Sequence, residues 1–197
     1  MDLKKAAEKF VKELLSSPPT TDYPYHNLEH TMKVVNHVKF LGNYENVDPG
    51  DMEKLIVAAW FHDSGYSVSY HKHEEKGILI AKKFLSERHA PNALNSQIEH
   101  LIRATIMPQN PQNAIEGVLC DADMFHLSQE DIVEQSLALW KESNMVNGRN
   151  ISRQKYLNTT LKLLTEHHYF TNYGKNKLER KKEANIRRVM DYLNENL

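Results

Sequence analysis

The strongest candidates for chemistry are a histidine and an aspartate that directly follow the most apolar stretch of the chain. The seven residues LIVAAWF at 55–61 are all apolar, and His62 and Asp63 come next. A helix that is apolar on every side is buried, so this pair is expected in the protein interior. An ionised carboxylate is rarely buried unless it is paired or binds a metal, because isolated burial is very costly. Asp63 therefore requires a cation close by.

A second pair of carboxylates also lies among apolar residues, in the stretch VLCDADMF. Either aspartate alone, Asp121 or Asp123, is equally well explained as the cap of the following helix, since Asp is a common N-cap residue. Taken together with Asp63, the pair favours a metal site instead, because carboxylates and imidazoles are ligands of divalent cations.

Two histidines, His26 and His30, stand four residues apart in the stretch PYHNLEH, where a loop becomes a helix that Asn27 is suited to cap. His30 begins this helix, whereas His62 and Asp63 end another, so packing of the two helices could bring their side chains to one cation. A mixed set of imidazole and carboxylate ligands suits Mn, Fe, Co, Ni, Zn or Mg. Water on such a metal becomes a hydroxide nucleophile near neutral pH.

The elements that must position these residues are predicted to be helices joined by short loops. Glycine and proline are scarce, with seven of each, and alternating runs of β-branched residues are absent. An all-α domain of about seven to nine helices is therefore expected, with Asp51 as the N-cap of the third. The predicted helices cover about 2–16, 27–42, 52–63, 73–88, 93–106, 114–125, 129–143, 151–170 and 176–195.

Length and composition indicate a single domain over residues 1–197. The net charge of −1 provides no general attraction to nucleic acid, and glutamates interrupt the basic stretch at 175–188, which is typical of a solvated helix face. Cys120 is the only cysteine, and no stretch resembles a signal peptide or the roughly 20 apolar residues of a membrane span. A cytoplasmic protein without a membrane contact is expected, and a homodimer is compatible with the composition.

The ordered set of His30, the His62–Asp63 pair and Asp123 resembles the H…HD…D pattern of the HD-domain metal-dependent phosphohydrolases, over roughly residues 25–125. The resemblance implies an all-helical HD-domain bundle in which these four residues bind a divalent metal. It also implies hydrolysis of a phosphate ester or anhydride, usually in a nucleotide, by metal-activated water, with Asp63 in the catalytic centre.

The stretch YHNLEH is similar to the YHNxxH segment of cyclic-nucleotide phosphodiesterases. In that segment the first histidine protonates the leaving oxygen and the second binds metal, which implies a general acid at His26 and a ligand at His30. His26 could instead only hydrogen-bond its own loop through Tyr25 or Asn27. The residues after Asp63, SGYSVS, differ from the Asp and His that follow in those phosphodiesterases.

The stretch YHKHEEKG is similar to the HE segment of many HD proteins, which makes His73 and Glu74 candidates for a second, weaker metal site bridged by Asp63. Asp121 is a further candidate for this site or for a hydrogen bond to a ligand. The stretch ATIMPQN lacks the histidine that such families often carry there, which favours one tightly held metal. Phosphate groups also need cations, and the candidates in or near loops are Lys72, Arg103, Arg149 and Arg153.

Two functions remain open at this point. The first is an HD-type hydrolase of a nucleotide or a related small phosphate ester, which the complete ligand set favours. The second is a metal- and nucleotide-binding regulatory module with little or no turnover, which the missing histidine and the unusual residues after Asp63 favour. Product formation from a panel of nucleotides distinguishes the two.

Overall fold

The observed elements are nine α-helices, and residues 2–148 and 150–196, which the computed structural model describes, contain no β-strand. The prediction of an all-α protein is therefore confirmed. Over the same residues, no helix combines the length and the apolar character required to cross a membrane. The helices are α1 (Leu3–Leu15), α2 (Leu28–Tyr44), α3 (Pro49–Phe61), α4 (His73–Ser86), α5 (Asn92–Ala104), α6 (Ala114–Asp123), α7 (Ile132–Asn147), α8 (Arg153–Glu166) and α9 (Glu179–Asn196).

A side-chain cap fixes the start of α2 and with it the position of His30. Asn27 has extended backbone angles, and its side-chain oxygen accepts hydrogen bonds from the backbone N–H groups of Glu29 and His30, at 2.9 and 3.3 Å. Such a cap satisfies donors that otherwise lack a partner in the first helical turn. His30 consequently lies in the first turn of α2, on the buried face of the helix.

The start of α3 differs from the prediction, because Asp48 rather than Asp51 is the N-cap. Asp48 Oδ1 accepts hydrogen bonds from the backbone N–H groups of Gly50 and Asp51, at 2.9 and 3.1 Å. Pro49 occupies the first helical position, where its fixed φ suits the helix and its missing N–H needs no partner. The prediction was wrong because it placed Pro49 in the preceding loop.

The end of α8 also differs from the prediction, since the helix ends at Glu166 rather than near residue 170. His167 has extended backbone angles, with φ −72° and ψ 139°. Asp121 accepts hydrogen bonds from the backbone N–H groups of Phe170 and Thr171, both at 2.9 Å. These contacts draw the chain away from the helical path, and nothing in the local sequence reveals them because Asp121 lies about 50 residues earlier.

The helices bury two separate hydrophobic clusters. The large cluster is centred on α3, whose residues 55–61 are all buried, and α3 packs against α1, α2 and α5. The small cluster is formed by α7, α8 and α9 together with the 3₁₀ turn Met124–Ser128 that follows α6. Its buried members are Met124, Leu127, Ile132, Leu157, Leu164 and Val189.

Candidate metal centre

Three helices of the large cluster bring four of the predicted residues together. His30 comes from the first turn of α2, His62 and Asp63 follow α3, and Asp123 ends α6. His30 Nε2 lies 3.3 Å from Asp63 Oδ2 and 3.5 Å from Asp123 Oδ1. His62 Nε2 lies 3.3 and 3.6 Å from the same two oxygens. One ligand atom each from His30, His62 and Asp123 falls within 4.8 Å of the others, which is close enough to hold a single metal ion.

The hydrogen bonding of His62 and Asp63 fits a metal. His62 Nδ1 lies 2.8 Å from the backbone carbonyl oxygen of Ala59, so Nδ1 donates a hydrogen bond to it and Nε2 is the nitrogen left for a metal. Metal-binding histidines commonly donate their other N–H to a carbonyl in this way. His62 Nε2 and Asp63 Oδ2 are both buried and, among the described residues, neither has a hydrogen-bond partner. A cation between them would satisfy both atoms.

The electrostatics of the cluster also call for a positive charge. Burial by itself raises the pKa of the Asp63 carboxyl, but the positive charges of His62 and His26 outweigh it, so that pKa lies well below its usual range. Burial opposes protonation of His62, yet the negative charges of Asp63 and Asp123 raise the pKa of that imidazole well above its usual value. Two carboxylates therefore demand a cation, which a divalent metal supplies while displacing protons from the imidazoles.

His73 and Glu74, which the sequence marks for a second site, lie on the other side of Asp63. His73 Nε2 is 3.5 Å from Asp63 Oδ1 and 3.4 Å from Glu74 Oε1. The first turn of α4 reaches this position because Gly65 and Gly77 allow the start of α4 and the segment after α3 to approach each other closely. A Cβ atom on Gly65 would collide with the carbonyl oxygen of His73, and one on Gly77 would lie 2.7 Å from the carbonyl oxygen of Phe61.

His26 has a partner that the sequence analysis missed. His26 Nδ1 is hydrogen-bonded to Oε1 of Glu142 on α7. Glu142 is fully buried, and its Oε2 accepts hydrogen bonds from the backbone N–H groups of Tyr25 and His26, at 2.8 and 2.9 Å. Burial alone raises the pKa of the Glu142 carboxyl, but the hydrogen bond and charge of His26 outweigh it, so that pKa is lowered. One carboxylate therefore fixes both the ring and the backbone of His26.

Aromatic rings hold the other side of His26. Its ring stacks on Tyr66 with centroids 4.3 Å apart, and Tyr66 stacks in turn on His73 at 3.9 Å. The ring centroids of His26 and His30 are 5.8 Å apart. Because Glu142 occupies Nδ1, the Nε2 atom of His26 is the one available to a substrate.

Asp121 is part of the fold rather than of this cluster. Its Oδ1 accepts from the Phe170 N–H, and its Oδ2 accepts from both the N–H and the hydroxyl of Thr171, at 2.9 and 2.6 Å. Burial raises the pKa of its carboxyl. A Cβ atom on Gly174 would collide with Asp121 Oδ2, so a glycine is required where the chain passes this carboxylate. Asp121 thus anchors the segment that joins α8 to α9.

Two of the four predicted phosphate-binding cations contact other side chains. Arg103 is paired with Glu99 at 2.7 Å on the surface of α5, and Arg153 lies over the ring of Trp140 at 5.4 Å. Lys72 precedes α4 in a left-handed backbone conformation. Arg149 falls outside the described residues.

Two cavities open beside His30, between α2 and α7. Their volumes are about 170 and 200 Å³, and both are lined by His30, Lys33 and Gln135. Lys33 was not predicted, although it stands three residues after His30 and so on the same side of the helix. Carboxylates also line these cavities: Asp123 and Asp131 in the smaller one, and Glu29 and Glu134 in the larger one.

Comparison with known proteins agrees with this geometry. The family model described as HD domain matches residues 27–128, just over half of the chain. Ribonuclease Y of Ureaplasma parvum serovar 3 is 33% identical over 87 residues in each of two strains. The match covers 43% of this chain and 18% of the length of that relative. No solved structure matches the chain significantly. The predicted family is confirmed: the chain belongs to the HD domain family of metal-dependent phosphohydrolases.

Proposed function

We propose that this protein hydrolyses a phosphate ester or anhydride in a nucleotide, with a divalent metal held by His30, His62, Asp63 and Asp123. The observation that carries the proposal is the pair of buried atoms, His62 Nε2 and Asp63 Oδ2, that lack a hydrogen-bond partner among the described residues. Folded proteins rarely leave such atoms unpaired, and these two face each other inside a set of metal-binding side chains.

The metal would polarise the phosphoryl group and lower the pKa of bound water toward neutrality, which provides a nucleophile. His26 would protonate the leaving oxygen through Nε2. The buried Glu142 supports this role, because it accepts from Nδ1 and so holds the ring in one orientation with Nε2 left for the substrate. Glu142 is a positioning residue, since it acts on the substrate only through His26.

A second, weaker metal position is also part of the proposal. The two oxygens of Asp63 face different partners, because Oδ2 lies near His30 and His62 and Oδ1 lies 3.5 Å from His73. With Glu74 beside His73, Asp63 could bridge two cations, as carboxylates do in two-metal hydrolases. Fewer ligands surround this second position, so its affinity is expected to be lower.

The charges of the two cavities support a small substrate. Lys33 lines both cavities, whereas Glu29, Asp131 and Glu134 line one or the other. Carboxylates repel a chain of phosphates, so the cavities favour a molecule with few phosphates over a long nucleic acid. The relative named ribonuclease Y makes RNA an alternative to test. A cytoplasmic location belongs to the same proposal, because the buried thiol of Cys120, which forms no disulfide, suits a reducing compartment.

The test is product formation, measured by mass spectrometry, from nucleoside mono- and triphosphates, cyclic nucleotides, model phosphodiesters and a short oligoribonucleotide in the presence of Mn²⁺. Wild type is compared with Asp63→Ala and with Asp191→Ala, which removes an exposed carboxylate of α9. A product that disappears only in Asp63→Ala supports the hydrolase. Metal-loaded wild type that binds a nucleotide without converting any substrate would instead establish the regulatory module.

A further inference from the structure

Tyr25 has a buried hydroxyl without an internal partner. The residue is 8% exposed, and its hydroxyl oxygen has no hydrogen-bond partner among residues 2–148 and 150–196. Buried hydroxyls in native proteins are nearly always paired, since an unpaired one loses its hydrogen bonds to water without replacement. The hydroxyl of Tyr25 therefore calls for a partner from outside the chain.

The position of Tyr25 places it at the metal centre. Its ring centroid lies 4.9 Å from that of His26, 4.7 Å from that of His30 and 5.6 Å from that of His126. Its side chain is buried among these rings, so it has little freedom to turn away. Tyr25 also lines the larger of the two cavities beside His30.

The Tyr25 phenol is a neutral hydrogen-bond donor at neutral pH, since a phenol ordinarily has a pKa of about 10. A phosphoryl group bound to a metal presents oxygens that accept such a bond, and donors aimed at them stabilise the charge that develops during hydrolysis.

We propose that the Tyr25 hydroxyl donates a hydrogen bond to a phosphoryl oxygen of the substrate, which makes Tyr25 a substrate-binding residue of this site. This inference rests on the proposed function, because it requires a phosphorylated ligand at the metal. It adds a donor that is independent of both the metal ligands and His26.

Two matched variants test the inference. Tyr25→Phe removes the unpaired hydroxyl, whereas Tyr169→Phe removes a buried hydroxyl that donates to the carbonyl oxygen of Met124 at 3.2 Å. Unfolding temperatures are measured on the metal-free proteins, and the affinity for inorganic phosphate is measured by calorimetry with Mn²⁺ present.

We expect metal-free Tyr25→Phe to melt at the wild-type temperature or about 2–4 °C above it, and Tyr169→Phe to melt about 2–4 °C below it. Phosphate affinity should fall about tenfold or more in Tyr25→Phe and stay unchanged in Tyr169→Phe.

Unchanged phosphate affinity in Tyr25→Phe would overturn the inference while leaving the proposed hydrolase intact. A lower melting temperature of metal-free Tyr25→Phe would also overturn it, because the hydroxyl would then have a partner inside the protein. If wild type binds Mn²⁺ and hydrolyses a substrate but does not bind phosphate, the inference about Tyr25 is rejected, whereas the proposed hydrolase is not. Failure of the proposed function is recognised separately, by the absence of any Asp63-dependent product.

Discussion

Two buried polar clusters contain the aspartates of α6, and they satisfy their polar atoms in opposite ways. Asp121 receives three hydrogen bonds, all from the backbone of Phe170 and from Thr171. Asp123, two residues later, faces the imidazoles of His30 and His62 at 3.5 and 3.6 Å. The first cluster is complete within the chain, whereas the second leaves His62 Nε2 without a partner among the described residues.

This difference separates a carboxylate that the fold itself satisfies from one that is proposed to bind a metal. Both aspartates are acidic, both follow an apolar stretch, and a single residue separates them. What distinguishes them is whether protein groups complete their hydrogen bonding. A buried cluster that lacks partners is costly unless a ligand supplies them, so the unsatisfied cluster is the one expected to bind an ion.

The largest expected effect comes from replacing the two aspartates in turn. Asp123→Asn should lower activity about 10³-fold or more, since the metal contributes several kcal/mol of transition-state stabilisation, and should change the free energy of unfolding little. Asp121→Asn should lower the free energy of unfolding by about 2–3 kcal/mol, because its amide cannot accept all three hydrogen bonds, and should spare the activity of the folded protein. Steady-state kinetics and urea unfolding of both variants measure this contrast, and similar behaviour of the two would contradict it.

The proposed general acid His26 and its partner Glu142 can be tested by comparing substrates whose leaving groups differ in their need for a proton. His26→Ala and Glu142→Gln should each lower the hydrolysis of a substrate with a poor leaving group by about 10²-fold. Hydrolysis of bis(p-nitrophenyl) phosphate should fall much less, because its leaving group requires no proton. Relative kcat values on the two substrates provide the measurement. An equal loss on both would assign His26 to binding rather than to proton transfer.

Metal binding should stabilise the fold only through the cluster of His30, His62, Asp63 and Asp123. Mn²⁺ at 100 times its Kd should raise the free energy of unfolding by about 2.7 kcal/mol. For a chain of this size, that is an increase in Tm of about 5–11 °C. The increase should be absent in His62→Ala and retained in Thr171→Val, which alters only the complete cluster. Thermal unfolding of each protein is measured once with EDTA and once with Mn²⁺. If Mn²⁺ still raises the Tm of His62→Ala, the metal binds elsewhere.

The smallest effect concerns His167, which begins the segment after α8. It is buried and, within the described parts of the chain, neither ring nitrogen has a hydrogen-bond partner. Burial and the charge of Lys182 lower its pKa to about 4. In the unfolded chain His167 binds a proton below about pH 6.5, whereas in the folded protein it binds one only below about pH 4. Because the unfolded chain binds more protons in this range, the free energy of unfolding decreases as the pH falls.

Replacing His167 by Gln should remove this contribution, which amounts to roughly 2 kcal/mol between pH 6.5 and 4. Urea unfolding of wild type and His167→Gln across that range measures it. If the stability of the two proteins falls equally with pH, His167 is not responsible, and the half-buried His37, whose pKa burial also lowers to about 4, is another candidate.

The sequence predicted the fold well because its signals are local. The uninterrupted apolar run at 55–61 required a buried helix, and Asn27 capped α2 as expected. The four proposed metal ligands came from buried-looking aspartates and histidines together with the resemblance to the HD family, and their role stays a prediction.

The residues that were missed depend on contacts between distant parts of the chain. Glu142 lies 116 residues after His26, and its stretch LALWKESN looks like an ordinary amphipathic helix. The end of α8 depends on Asp121, which no pattern near residue 166 reveals. Tyr25 stands next to His26 in the sequence, but only its burial without a hydrogen-bond partner distinguishes it from any other aromatic residue.

The contact between His26 and Glu142 divides the proposed catalytic machinery between the two hydrophobic clusters. The four proposed metal ligands lie on helices of the large cluster, whereas Glu142 lies on α7, which belongs to the small one. Proteins open in cooperative parts, and each part has its own opening free energy. A transient opening of α7, α8 and α9 would leave the metal in place and release His26, which amide hydrogen exchange would detect as faster exchange in α7 than in α3. The C-terminal helices would thereby control turnover without contacting the metal, so any ligand or partner that tightens them would also act as an activator.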